Sequence, residues 1–211
     1  EHHDEDFATA AHPDAIERIA GEAGARTNPV GKKFGTIGVL ASGTWSEITT
    51  FRGDSYTNGT RWPDVTFSSQ LEDDLSRRDF TINAFARRAS GGEIVDLFGG
   101  IEDLRAGVIR AVGDPATRFR EDPLRILRGL RFASQLDFTI EPGTFAGMAE
   151  TADLLATLSQ ERITTELGKL LVGRAPERAL NLARECGALH VILPELDGMP
   201  GCDQNHWHQF D

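Results

Sequence analysis

The sequence predicts an α+β protein, a mixed head of strands and short helices followed by a string of helices. Three observations carry this. Short apolar runs separated by glycine and polar turn signals crowd the first half. Beyond Pro115 the apolar residues recur at helical spacing almost without a break. At 211 residues, with 39% hydrophobic and 26% charged residues, the chain can bury one good core or two smaller ones in series.

Taken in order, residues 13–25 begin with proline and carry Ile16, Ile19, Ala20 and Ala23 at helical spacing. "FGTIGVLASGTWSEITTFR" gives two strands, about 36–41 and 45–52, joined by a Ser-Gly turn. Residues 53–64 read as a loop. Residues 70–76 are acidic, and "RRDFTINAFA" runs into a helix starting near Thr81. "GEIVDLFGG" is a short strand ending in a glycine turn, and "VIRAV" is another. From Asp122 the pattern is helical, over 122–136, 142–151, 160–172 and 175–186, with Ser159 as an N-cap and Gly187 as a C-terminal glycine. No internal repeat is present.

Composition narrows the function classes. No apolar run is long enough to span a bilayer, and no charged leader precedes an apolar stretch. Cys186 and Cys202 form neither a disulfide framework nor a metal-ligand spacing, so a reducing, cytoplasmic setting is expected. A formal net charge of −11 lacks the diffuse basic footprint of most nucleic-acid binders. The basic residues are nonetheless almost all arginine, with lysine only at Lys32, Lys33 and Lys169. A GC-rich genome accounts for much of that bias, but not for position. Arg118, Arg120, Arg125, Arg128 and Arg131 face only Glu121 and Asp122 in the same stretch, so a local basic face can exist on an acidic protein.

Three constellations carry chemistry. In "DEDFATAA", Asp4 and Asp6 flank one residue, so on a strand both carboxylates share a face. Such a pair repels itself unless a cation joins it, and hard oxygen ligands suit Mg²⁺. Glu47, on a neighbouring predicted strand, can supply a third carboxylate; an ordinary solvated acidic pair is the competing reading. In "DLSRRDFTINAFA", Asp79 either caps a helix with Arg77 and Arg78 solvated, or accepts from a sugar hydroxyl beside an arginine at phosphate. In "EDPLRILRGLRF", Asp122, Arg125 and Arg128 fan along one helix flank, each three-residue step rotating the side chain by roughly 60°. A solvated ion-pair ladder would be worth only about 0.2–0.5 kcal/mol per pair. The sharper reading is base selection. Cytosine and adenine each present an exocyclic amino donor beside a ring-nitrogen acceptor, which a carboxylate and a guanidinium complement. Uracil and guanine present the opposite pattern.

These stretches, with "FGTIGV…EITTFR", "LEDDLSRRDFTINAFA", "DLFGGIEDL", "RFREDPLRILRGLRF" and "ERITTELGKLL…LPEL", occur in an order that closely resembles the class II tRNA nucleotidyltransferases, the bacterial CCA-adding enzymes and their poly(A) polymerase relatives. The resemblance covers nearly the whole chain, and "RRDFTINA" with "EDPLRILRxLRF" makes it specific. It implies a polymerase-β-like nucleotidyltransferase head over 1–112, a helical neck with the template helix over 113–158, and a helical body over 159–211. It further implies that Asp4 and Asp6 hold catalytic Mg²⁺ with Glu47 as third acid. Arg78 and Asp79 would bind sugar and phosphates, Asp122 and Arg125 would be an amino-acid template for the base, and Arg128 and Arg131 would be further nucleotide-binding arginines. Asp96 to Leu104 matches the family's flexible segment, which lets one template accept C twice and then A. The implied partners are the tRNA 3′ end, CTP and ATP.

The family places a glycine-rich strand and turn ending in Arg-Asp before the D-x-D, where it cradles the triphosphate. This sequence starts three residues before Asp4, and "QNHWHQFD" resembles the lead-in to an HD-type phosphohydrolase domain. The expectation is the middle of a longer protein. His206, His208 and Asp211 read as loop surface before metal site, Trp207 as packing, and His2–His3 has no assignable role. The leading function is template-independent addition of C, C and A to tRNA. CC-adding, A-adding and poly(A) members share the motifs, though the chain's acidity disfavours a poly(A) enzyme. An inert RNA-binding fragment and an HD phosphohydrolase are the readings from other classes.

Overall fold

The computed structural model describes residues 5–55 and 64–197, which form two compact units. The first comprises the chain up to Arg78 together with Ala84–Leu97. In it β1 (Glu5–Thr9) leads to α1 (Pro13–Glu22), then β2 (Arg26–Asn28), β3 (Thr36–Ala41) and β4 (Thr44–Thr50). These strands make one sheet in the order β1-β4-β3-β2, with β1 parallel to β4 and the other pairs antiparallel. Proline at the start of α1 costs no hydrogen bond there, and Ile16 and Ala20 fall on one stripe. That stripe packs on Ile37 and Val39, alternate residues of β3, with Ile48 of β4 beside them.

The chain between residues 51 and 97 departs from expectation at two places. Residues 53–64 are not simply a loop: β5 (Arg52–Ser55) pairs antiparallel with β6 (Asp64–Phe67), so cross-strand pairing overrides the glycine and polar composition. The acidic run is a helix, α2 (Leu71–Ser76), whereas the helix predicted from Thr81 is a single 3-10 turn, Thr81–Asn83, followed by a hairpin of β7 (Phe85–Arg87) and β8 (Ile94–Asp96). The physical reason is tertiary. The Thr81 amide donates to the Arg110 carbonyl and the Val112 amide to the Asp79 carbonyl, and beyond Asn83 the pairing of β7 with β8 takes the backbone groups that a continuing helix would need.

The second unit comprises Asp79–Asn83 and everything from Phe98 onward, so by packing residues 98–112 go with the helices. It contains α3 (Gly100–Ala106), β9 (Val108–Ile109), α4 (Pro115–Glu121), α5 (Leu124–Leu136), β10 (Thr139–Ile140) and α6 (Pro142–Thr151). Then come α7 (Gln160–Leu171), α8 (Pro176–Glu185), α9 (Ala188–Ile192) and α10 (Pro194–Asp197). The helix spans expected beyond residue 140 are met almost residue for residue. Ser159 takes its N-cap position, without a side-chain cap bond, and Gly187 follows α8 at φ 80°. α4 is not predicted, although Asp114 followed by Pro115 is a helix-start signal; the Asp114 carboxylate accepts from the Thr117 amide at 2.8 Å. α5 is the centre of the unit, placing Ile126, Leu127, Leu130 and Ala133 in one core with Phe80, Phe119 and Met148.

Candidate nucleotide site

The acidic candidates sit on the sheet. Asp6 and Glu47 are register partners on the parallel strands β1 and β4, which puts both side chains on one face. Ile48 packs with α1, so Glu47 projects from the opposite face. Gly38 of β3 is the next register partner of Glu47 and adds no side chain there. Both carboxylates are exposed, and neither hydrogen-bonds or ion-pairs with a described residue. Asp4 lies outside the described residues, as do His206, Trp207, His208 and Asp211; among the described residues no three metal-ligating side chains converge. Two adjacent hard oxygen donors on an open face fit a divalent cation such as Mg²⁺.

The "RRD" stretch divides between the units. Arg77 and Arg78 are not free in solvent, as one sequence reading had them, although Arg78 stays partly exposed. Both reach back to the buried carboxylate of Asp74 on α2, Arg77 at 2.7 Å and Arg78 at 3.0 Å. Asp79 caps no α-helix. One of its oxygens accepts from the Phe80 amide at 2.9 Å and from the Asn83 side-chain amide at 3.2 Å. The other is held by the Arg128 guanidinium through Nε at 2.7 Å and Nη2 at 2.6 Å, a near-bidentate clasp.

Asp122 does not stand on the arginine helix. It has φ −144° and ψ 100°, an extended conformation at the joint between α4 and α5, because the residue before a proline is driven out of the helical region. Pro123 caps α5, and the Arg125 amide donates to the Asp122 carbonyl at 3.0 Å, so the two residues stay adjacent. The Asp122 carboxylate is held by Arg162 of α7 at 3.2 and 3.3 Å. Arg125 is largely buried, donating to Glu121 at 3.0 Å and to the Arg118 carbonyl at 3.1 Å.

No solvated ladder forms, because the three arginines fan to three different carboxylates: Arg125 to Glu121, Arg128 to Asp79, Arg131 to Glu166 of α7. Arg131 and Glu166 are both buried, with Arg131 stacked over the Phe132 ring at 4.4 Å and Arg128 at 5.5 Å. Burial pulls the proton affinity of Arg131 below its ordinary value; Glu166 opposes that, and Arg128 adds to it. A guanidinium remains charged throughout the physiological range all the same.

Sequence reasoning missed Asp74, Glu121, Arg162 and Glu166. For Asp74 and Glu121 the signal was present, since each lies three or four residues before the arginine it holds. For Arg162 and Glu166 none was, because their partners lie 40 and 35 residues away.

The poly A polymerase head domain matches residues 1–110, and the "Probable RNA and SrmB-binding site of polymerase A" matches residues 137–199. This chain belongs to the poly(A) polymerase and class II tRNA nucleotidyltransferase family that its motifs resemble. Within it, the chain is similar to the CCA-adding enzyme of Levilactobacillus brevis, with 50% identity over 179 residues, 84% of this chain and 44% of that protein. It is similar in structure to the Bacillus stearothermophilus CCA-adding enzyme in complex with CTP, at a TM-score of 0.82 and 44% identity, covering 92% of this chain and 46% of that one. The Thermotoga maritima CCA-adding enzyme complexed with tRNA-CCA matches at a TM-score of 0.73 and 27% identity over 91% of this chain and 44% of that one. The chain thus spans less than half the length of these relatives.

Proposed function

We propose that this chain carries the nucleotide-adding machinery of an enzyme that joins C, C and A, from CTP and ATP, to the 3′ end of tRNA and releases pyrophosphate. The observation that carries the reading is the joint between α4 and α5, where an acid and an arginine, Asp122 and Arg125, are tied by a backbone hydrogen bond at the start of the arginine helix and each side chain is held by its own partner. Asp122 accepts from the exocyclic amino group of cytosine or adenine, and Arg125 donates to the neighbouring ring nitrogen. Arg162 and Glu121 hold the two side chains in place, so the selector is set before a nucleotide arrives.

Asp4 and Asp6, with Glu47, would hold Mg²⁺, which when bound lowers the pKa of the primer 3′-hydroxyl and neutralises charge on the phosphates. Arg78 and Asp79 engage phosphate and sugar, and Arg128 keeps the Asp79 carboxylate aimed. Arg131 supports the row from within the helix packing, through Glu166. In this reading residues 1–112 are the head, 113–158 the neck and 159–211 the body, and 96–104 is the segment that accommodates the larger base. The working place is the cytoplasm; among the described residues no helix is long and apolar enough to cross a membrane.

The match to a poly A polymerase head domain favours one second reading, a family member that adds only CC, only A, or a poly(A) tail. The test uses the full-length product of the gene encoding this chain, with Mg²⁺ and labelled CTP or ATP. The primers are tRNA ending at the discriminator base, tRNA ending in CC, and an unstructured RNA. Addition of C, C and then A, followed by arrest, is the expected result. Use of one nucleotide alone selects the second reading, and binding of tRNA without incorporation leaves an RNA-binding protein.

A further inference from the structure

Asp74 is 0% exposed, the most deeply buried charged residue among those described. A carboxylate so placed must be compensated, and here two guanidiniums converge where one would neutralise it. Arg77 donates to one oxygen through Nε at 3.0 Å and Nη2 at 2.7 Å, and Arg78 donates to the other through Nη2 at 3.0 Å. The arrangement is built by α2: Asp74, Arg77 and Arg78 are spaced i, i+3 and i+4, and the Arg78 amide closes the turn on the Leu75 carbonyl. The Arg77 side chain is 15% exposed and the Arg78 side chain 39%, so of the two guanidiniums it is that of Arg78 that reaches solvent. The buried Nε of Arg78 has no acceptor. Its guanidinium is thus oriented by Asp74 and not by the satisfaction of its own donors.

We infer that Asp74 is a positioning residue for the incoming nucleotide: it holds the Arg78 guanidinium with its outer part turned to solvent, ready for phosphate oxygens. The inference rests on the reading that Arg78 meets the nucleotide. An unheld arginine loses its rotamer freedom when the ligand binds, whereas this one loses it on folding. One immobilised side chain is worth roughly five- to tenfold in affinity.

The test is Asp74→Asn in the full-length gene product, with steady-state kinetics and direct binding of CTP in the absence of primer. The expected result is a rise of about five- to tenfold in the KM for CTP and ATP and in the CTP Kd, of the size given above for one side chain. The kcat should stay within about twofold, and the KM for tRNA and the preference for C and A should not move. Asp74→Glu, which keeps the charge, should restore part of the loss. Added to Arg78→Ala, Asp74→Asn should cost nothing further, because it acts through that arginine. Additive losses, unchanged nucleotide affinity, or altered base preference overturn the inference. Where Asp74→Asn fails to fold, Asp74→Glu carries the same cycle. Because CTP binding is read without primer, a protein that shows these affinity changes yet adds nothing to tRNA sinks the proposed function and keeps this role for Asp74.

Discussion

Asp122 illustrates how one residue acquires its place from its neighbour. Proline at 123 excludes a helical conformation for it, and its carboxylate is left at a joint within reach of Arg162. If this is the template, Asp122→Ala or Arg125→Ala will scramble the choice among CTP, ATP, UTP and GTP more than it weakens tRNA binding. Incorporation assays with each nucleotide, beside a tRNA binding curve, check this; equal loss for all four with preference intact would count against the template role. Gly147 makes a residue-scale prediction about stability. A Cβ there would stand 2.7 Å from the Pro115 Cβ and 3.0 Å from the Ala116 nitrogen, atoms of a neighbouring helix that cannot swing away. Alanine would normally gain about 1 kcal/mol in a helix interior. Overpacking costs roughly 1–3 kcal/mol, so Gly147→Ala is expected to lower Tm.

At the scale of elements, helix ends and helix pairs decide. Glu141 caps α6, accepting from the Thr144 amide at 2.7 Å. Burial pushes its pKa up, but the amides of Gly143 and Thr144, the Thr144 hydroxyl and Arg110 outweigh burial and hold it below its ordinary value. A folded-state pKa that is depressed gives stability that is present above the unfolded value and lost as pH falls through the folded one. The Glu141 contribution should therefore be complete at neutral pH and fade below roughly pH 4.3. In Glu141→Gln the melting temperature should fall less steeply between about pH 5 and 3 than in the parent. Removing the cap with Glu141→Ala is expected to cost about 1 kcal/mol at neutral pH. The α5–α7 contact has higher stakes, because Arg131 and Glu166 are buried together. Glu166→Ala leaves a buried guanidinium without its carboxylate and should cost about 3–5 kcal/mol, measurable by denaturant titration.

Over the whole molecule, two cores of unequal size set the order of opening. Among the described residues, the sheet unit rests on Ile16, Ala20, Ile37 and Val39 with a few partners, whereas the helical unit buries nineteen in one cluster. Hydrogen exchange should accordingly be slowest in α5, at Ile126–Ala133, and fast in α1 and the edge strand β2. Equal protection of both regions would refute that. Much of this was legible in the chain. The helices beyond residue 140 follow from apolar spacing and caps, and β3 and β4 follow from alternation around a glycine turn, because such patterns are local and repeat within one element. The placing of Glu47 on the strand beside Asp6 was legible for the same reason. The turn at Thr81, the pairing of β5 with β6, and the partners of Asp122, Arg128 and Arg131 were not. Each depends on groups 9 to 49 residues distant, which local propensity cannot see. The sequence by itself determined the class of fold, the motifs and the family, since those are written in residue types and short spacings. Tertiary structure alone decided which carboxylates Arg128, Arg131 and Arg162 hold, because those acids lie 35 to 49 residues away and only folding brings them within hydrogen-bonding distance.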